Sequence, residues 1–242
     1  MLERLGNLFF RRRGPLSGVV LVLVVVATGA AAAWRPVSPA TGRAADLLGL
    51  AIVLLSLTGR GVVVGYTAPG TSGRNQEGQV AESLNTRGGY SVVRHPIYLL
   101  NLVGWVGIAV LSGIWWIPIG ALALGVGLYG PILVAEDAFL AQRFGAEYRD
   151  WAARTPAVRP RIAGWRRPER RFSWRAVLRR EYPSLVVTSL AAYFVHAARG
   201  WPAWRSDLAG GWTRGLLVAL ALATGLRIVS HTTRWFEAEG ER

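Results

Sequence analysis

Residues 97 to 135, IYLLNLVGWVGIAVLSGIWWIPIGALALGVGLYGPILVA, contain no charged side chain; they follow directly on Arg94-His95-Pro96 and end on Glu136-Asp137. These 39 residues make about 58 Å of helix at ~1.5 Å per residue, roughly twice the ~30 Å of a bilayer core. The run is therefore expected to cross a membrane and return. Ser112, Gly113 and Trp115-Trp116-Ile117-Pro118 mark the turn, since Trp favours the membrane interface and Pro disfavours helix in the residue before it. The fold-back brings His95 and Glu136 to one membrane face. Pro131 removes a backbone hydrogen bond about a turn before the acids, and a bend is expected there.

The rest of the composition agrees with an integral membrane protein. Of 242 residues 52% are hydrophobic and 17% charged, with 11 Trp, a balance unlike that of a soluble domain. Leu16–Trp34, Asp46–Tyr66, Tyr182–Ala198 and Gly215–His231 are further candidate spans, so the expected fold is an all-α polytopic transmembrane protein of about six spans. The apolar part of the first candidate, after Arg11-Arg12-Arg13, exceeds the ~7–15 residues of a secretory signal, which reads as a retained span. Arg60 interrupts the second; it either reaches the headgroups or pairs with a buried acid such as Glu136.

There is no Lys, and the arginines fall on two sides of these spans. Arg11 to Arg13, Arg74, Arg87, Arg94 and the dense set from Arg143 to Arg180 lie on one side; Arg35, Arg43, Arg199 and Arg205 lie on the other. The richer side is expected to be cytoplasmic, with both termini and the His95–Glu136 face on it. A net charge of +14 flanking apolar spans points to anionic membrane lipid rather than nucleic acid. Arg159 to Tyr182 interleaves Arg with Ile162, Trp165, Phe172 and Trp174 and reads as a surface-lying amphipathic helix or hairpin. The absence of cysteine excludes disulfides, thiolate catalysis and Cys metal sites. Residues 1–70 are expected to hold the N-terminal spans, 71–160 a functional core, and 161–242 an Arg-rich interfacial segment and the last spans.

The ends of the hairpin carry the chemistry. A helix starting at Pro96 would have its first turn lined by free amides, His95 and Tyr98, a place that favours a carboxylate or phosphate, with Arg94 beside it. Glu136 and Asp137 are adjacent, hence about 100° apart on a helix, and only one can face a ligand. A carboxylate there can accept from ribose hydroxyls or bind an amino group. The polar, glycine-rich stretch Thr67–Tyr90 is longer than a connection needs and can lid a site. It has neither the glycine-lysine pattern of a nucleoside triphosphate loop nor a preceding strand for a dinucleotide fold. His95, His196 and His231 lack metal-ligand spacing, and no metal is assigned.

The stretch Gly88-Gly89-Tyr90-Ser91-Val92-Val93-Arg94-His95-Pro96-Ile97-Tyr98, the long hairpin, then Glu136-Asp137-x-x-Leu140-x-x-x-Phe144-Gly145-x-x-Tyr148 with Thr155-Pro156 and Pro160 resembles the isoprenylcysteine carboxyl methyltransferase and phospholipid methyltransferase superfamily. The resemblance covers about residues 71–160. It implies a helical enzyme of the bacterial inner membrane that uses S-adenosylmethionine to methylate a lipid or other hydrophobic acceptor. Carried over, it places His95, Pro96, Tyr98, Tyr90 and Glu136 at the cofactor, with Glu82, Ser83, Leu84, Asn85 and Asn75 from the preceding loop. Arg94 and Arg74 are candidates for the substrate side, and no residue is nominated as a catalytic nucleophile. Asp137 stands where the family commonly has Glu, and Leu99-Leu100-Asn101 where a Gly is common. Ile132 replaces the arginine that approaches the substrate in the prenylcysteine enzymes, which argues against a prenylcysteine carboxylate. Two other classes share features with the chain: a membrane NADPH-dependent reductase of the sterol reductase type, with a similar His-Pro-x-Tyr hairpin, and a non-catalytic membrane scaffold.

Overall fold

A computed structural model describes residues 1–68, 79–201 and 210–232, and among the described residues the regular structure is entirely helical. A short amphipathic helix, α1 (Leu2–Arg11), leads into α2 (Arg13–Trp34) and α3 (Pro39–Tyr66). One turn, α4 (Gly89–Val92), precedes the hairpin of α5 (Pro96–Val110) and α6 (Trp116–Arg154). Then come α7 (Trp174–Arg199) and α8 (Gly211–Thr232). Helices α2, α3, α6 and α8 are long and apolar enough to cross a bilayer, and α5 is a shorter apolar helix. With α7, whose apolar part begins after an arginine-rich first stretch, six helices occupy the places of the six expected spans.

Local signals explain the boundaries. Ser38 caps α3 by accepting from the Thr41 amide at 3.1 Å, with Pro39 in the first turn. Ser173 caps α7 through the Ala176 amide at 3.2 Å. The hairpin turns between Val110 and Trp116 as expected, with Gly113 at φ 69°, a left-handed conformation that costs glycine little. Ser112 secures the turn by accepting from the Ile114 amide at 3.1 Å.

The spans meet through small residues, as helices do where lipid offers no hydrophobic drive to association. On α3, a Cβ at Gly49 would lie 2.8 Å from the Gly107 carbonyl of α5. Two turns on, Ser56 donates to the Leu100 carbonyl at 2.7 Å and lies against Gly104. At the end of the bundle opposite the motif, Arg199 of α7 donates to both Asp46 oxygens at 2.9 Å, to the Gly42 carbonyl at 3.1 Å and to the Leu111 carbonyl at 2.7 Å. This knot ties α3, the hairpin turn and α7. At the motif end α1 packs along α6, where a Cβ on Gly6 would collide with the Pro131 carbonyl.

Helix α6 leaves helical dihedrals at Gly145, with φ 55° and ψ −119°; a side chain there would be strained, so the chain turns where glycine permits it. Two expectations need correction. Residues 159–173 form neither a surface helix nor a hairpin. They run irregularly with one 3-10 turn at Ile162–Gly164, because Pro160, Gly164 and Pro168 interrupt helix, and helix begins only at Trp174. Of the two readings of Arg60, pairing with a buried acid holds, but the acid is Glu181 of α7, at 2.9 Å, and not Glu136.

Gly49→Val should lower the thermal midpoint of the detergent-solubilised protein by overpacking α3 against α5, a cost of about 1–3 kcal/mol. Gly127→Val, at a site with open space around it, should leave the midpoint unchanged. Equal midpoints for both variants in a temperature series by size-exclusion chromatography would contradict this packing.

Candidate functional site

The site begins at the start of α5. His95 precedes Pro96, the first helical residue, and proline there loses nothing because its missing N–H would have no helical partner. The segment before it is held by the chain that follows α6. The Arg94 amide donates to the Pro156 carbonyl at 2.9 Å, the Arg161 amide to Val92 at 2.9 Å and the Gly88 amide to Arg166 at 3.0 Å. Ser91 Oγ accepts from the Arg166 amide at 2.9 Å, and Trp151 Nε1 donates to the Tyr90 carbonyl at 3.1 Å. The irregular backbone of 155–166 thus satisfies the irregular backbone of 88–94, as buried peptide groups require. The left-handed residue Gly145 lies between Asp137 and the Tyr148–Trp151 turn that reaches back to this segment.

Glu136 and Asp137 diverge as adjacent helical residues must. Asp137 turns toward the motif. Its Oδ1 pairs with His95 Nε2 at 2.8 Å and accepts from the Tyr148 hydroxyl at 2.5 Å, while Oδ2 accepts from Arg94 Nη1 at 2.8 Å. Arg94 Nη1 also donates to the Tyr148 oxygen at 3.0 Å. Four side chains therefore close one network between the two ends of the hairpin.

Glu136 turns the other way, into a cavity of about 690 Å³. The Tyr98 hydroxyl faces its carboxylate, and its Oε2 is buried with no hydrogen-bond partner. Leaving such an acceptor unsatisfied costs about 1–3 kcal/mol. Gln79 braces the backbone here, its amide nitrogen toward the Ala135 carbonyl at 3.3 Å and its oxygen toward the Glu136 amide at 3.2 Å.

Of the residues expected at the cofactor, His95, Pro96, Tyr98, Glu136, Tyr90, Ser83, Leu84 and Asn85 line this one cavity. Glu82 is exposed and absent from the wall, since its neighbour Ala81 takes the buried position and the charge turns to solvent. Asn75 and Arg74 lie outside the described residues. Arg94 borders the cavity, but its Nη1 is directed at Asp137 and Tyr148. Gln79, Asn101, Tyr129 and the α7 residues Arg179, Arg180 and Glu181 also line the cavity, and no motif nominates them. Their one advance signal was Arg60, a charge inside an apolar span that needs a partner. Among the described residues no group of three His, Asp or Glu side chains is placed to hold a metal ion.

Residues 47–147 match the family described as phospholipid methyltransferase. This bears out the superfamily resemblance over the segment that carries α3, the motif and most of the hairpin. Curated relatives include the nickel-cobalt-cadmium resistance protein NccN of Alcaligenes xylosoxydans xylosoxydans, 40% identical over 90 residues. The cobalt-zinc-cadmium resistance protein CzcN of Cupriavidus metallidurans is 38% identical over 90 residues. Each match covers 37% of this chain and 41% of the relative, so the chain spans about two-fifths of the length of these relatives. No solved structure matches the chain.

The two acids should answer oppositely to substitution. Asp137→Ala strands Arg94 and His95 and should lower the thermal midpoint, by about 1–3 kcal/mol of stability. Glu136→Gln replaces a buried oxygen that has no partner and should leave the midpoint unchanged or raise it. Greater loss from Glu136→Gln than from Asp137→Ala would overturn this division.

Proposed function

We propose that the 690 Å³ cavity binds S-adenosylmethionine, and that the chain is an integral membrane methyltransferase acting on a lipid or other hydrophobic acceptor. The observation that carries this reading is Glu136 Oε2, a buried acceptor without a partner, facing the start of a helix across the cavity. The donor set fits the cofactor. An amino group or ribose hydroxyl can satisfy Glu136, and a carboxylate suits the first-turn amides of α5, where helix partial charge is positive. The cofactor supplies an electrophilic methyl group on a sulfonium.

The protein's own contribution is positioning and dryness. Asp137 fixes the His95 ring by its Nε2, so the imidazole presents one orientation to the cavity. Tyr98 packs edge-on to Tyr129 with centroids 5.1 Å apart, which holds its hydroxyl at Glu136. Apolar side chains behind these groups exclude water, which strengthens each polar contact and leaves the acceptor's lone pair unsolvated. Methyl transfer to such a lone pair needs alignment more than a covalent intermediate, and no Ser or Cys nucleophile is called for.

Ile132 is fully buried among Phe10, Trp105 and Tyr129, so apolar packing stands where a prenylcysteine carboxylate would need a cation. This favours a different acceptor. Positive-inside asymmetry supports a bacterial inner-membrane location with both termini and the cavity on the cytoplasmic side, where the cofactor is present, and with anionic lipids around the arginine-rich face.

Calorimetry on the full chain in detergent tests this reading. S-adenosylmethionine should bind in the micromolar range, and His95→Ala and Glu136→Ala should each weaken it about tenfold or more, the worth of ~1.5–3 kcal/mol for a hydrogen bond to a charged group. Binding of NADPH in its place would make the chain a reductase. Binding of neither would leave a scaffold.

A further inference from the structure

A second cavity of about 260 Å³ adjoins the first, and the two share Ser17, Arg60, Asn101 and Tyr129 in their walls. The shared residues form a polar mouth. Arg60 donates to Glu181 through Nε at 2.9 Å and Nη2 at 3.0 Å, to Ser184 Oγ at 3.2 Å, and through Nη1 to Asn101 Oδ1. Asn101 Nδ2 in turn donates to the Tyr129 hydroxyl at 3.3 Å. Beyond the mouth the wall is mostly apolar, with Leu21, Leu57, Trp105, Ile108 and Val187 beside Thr188 and Ser56, whose hydroxyl is committed to the Leu100 carbonyl. From Asn101 to Ile108 along α5 is about 10 Å at ~1.5 Å per residue, directed away from the cytoplasmic-side motif into the apolar part of the bundle. The void is polar where it meets the first cavity and mostly apolar at depth.

Among the described residues Arg60 is the one charged side chain in its wall, and Glu181 of the first cavity's wall balances it. Arg60 and Glu181 are each 13% exposed and answer one another along two hydrogen bonds. An ionised headgroup entering the mouth would have to part them and strand one charge in a buried place, an unfavourable exchange. An uncharged group that both donates and accepts can join the network without breaking it. Pro183, Ser184, Val187 and Thr188 belong to α7, outside residues 47–147, so the α7 side of this wall is supplied by the part of the chain that the family match does not cover.

We propose that the second cavity holds the apolar chain of the methyl acceptor, a hydroxyl-bearing amphiphile, and that Arg60, Asn101 and Glu181 position its uncharged polar group at the mouth facing the first cavity, with the Glu181 carboxylate taking the proton that the hydroxyl gives up on methylation. The acceptor role rests on the methyltransferase reading; the binding site does not. Helix α7 then sets acceptor choice.

Photolabelling of the full chain in detergent with a diazirine analogue of 1-decanol tests this, with the matching decanoic acid and decylamine probes as charged arms. The alcohol probe should label residues 56–60 of α3 and 183–188 of α7 about tenfold more than either charged probe. Val187→Trp should abolish that labelling, whereas Val22→Trp on the lipid face should not. Glu181→Gln frees the Arg60 charge and should turn the preference toward decanoic acid, a reversal that a merely structural ion pair would not produce. Labelling confined to lipid-facing residues such as Val22 and Leu222, or stronger labelling of the unaltered protein by a charged probe, would overturn the proposal. No cofactor is present in this experiment, so failure to bind S-adenosylmethionine would remove the enzymatic reading while leaving the labelling result to decide the site.

Discussion

Asp137 is the residue on which the polar end of the bundle depends. A helical hairpin in lipid has its backbone satisfied internally, but the chain that enters and leaves it does not. Here the exit helix supplies one carboxylate that takes hydrogen bonds from His95, Arg94 and Tyr148. That single side chain fixes the ends of α5 and α6 relative to each other and orients the imidazole at the cavity. The segment after Gly145 then returns to pair its peptide groups with the motif, so the loop before α5 is held on two sides.

The neighbouring carboxylate has the opposite character. Glu136 sits one residue away and is directed into the cavity with an unpartnered oxygen. Anchoring of the motif and an open acceptor at the cavity are thus divided between adjacent positions by the 100° step of the helix. A site that leaves an acceptor unsatisfied in the free protein stores a preference for a donor, and only a ligand carrying one can release it. The same economy governs Arg60, whose charge is neutralised by Glu181 so that the second cavity can open into an apolar interior.

Much of this was legible in the sequence, and what was not has physical causes. The hairpin follows from a charge-free run of twice the membrane thickness, and the divergence of the acids from helical geometry alone. The start of α5 follows from Pro96. Arg60 announced that it needed a partner, yet the choice of Glu181, 121 residues away, depends on α7 packing against α3, which no local pattern encodes. The Arg-rich stretch from 159 has an amphipathic composition, but its prolines prevent helix and its Arg161 and Arg166 amides are committed to Val92 and Ser91. Gln79 and Tyr129 were hidden for a different reason: one lies in a loop without periodicity and the other in an apolar helix, where an aromatic residue reads as core.

The most direct measurement is an experimental structure of the full chain in a lipid nanodisc with saturating S-adenosylhomocysteine, the demethylated form of the proposed cofactor. Ligand density is expected between the first turn of α5 and Glu136, with a ligand donor within hydrogen-bond distance of Glu136 Oε2 and the His95–Asp137 contact intact. Lipid filling that cavity with no nucleoside bound, or ligand density elsewhere with Glu136 Oε2 still unpaired, would contradict it.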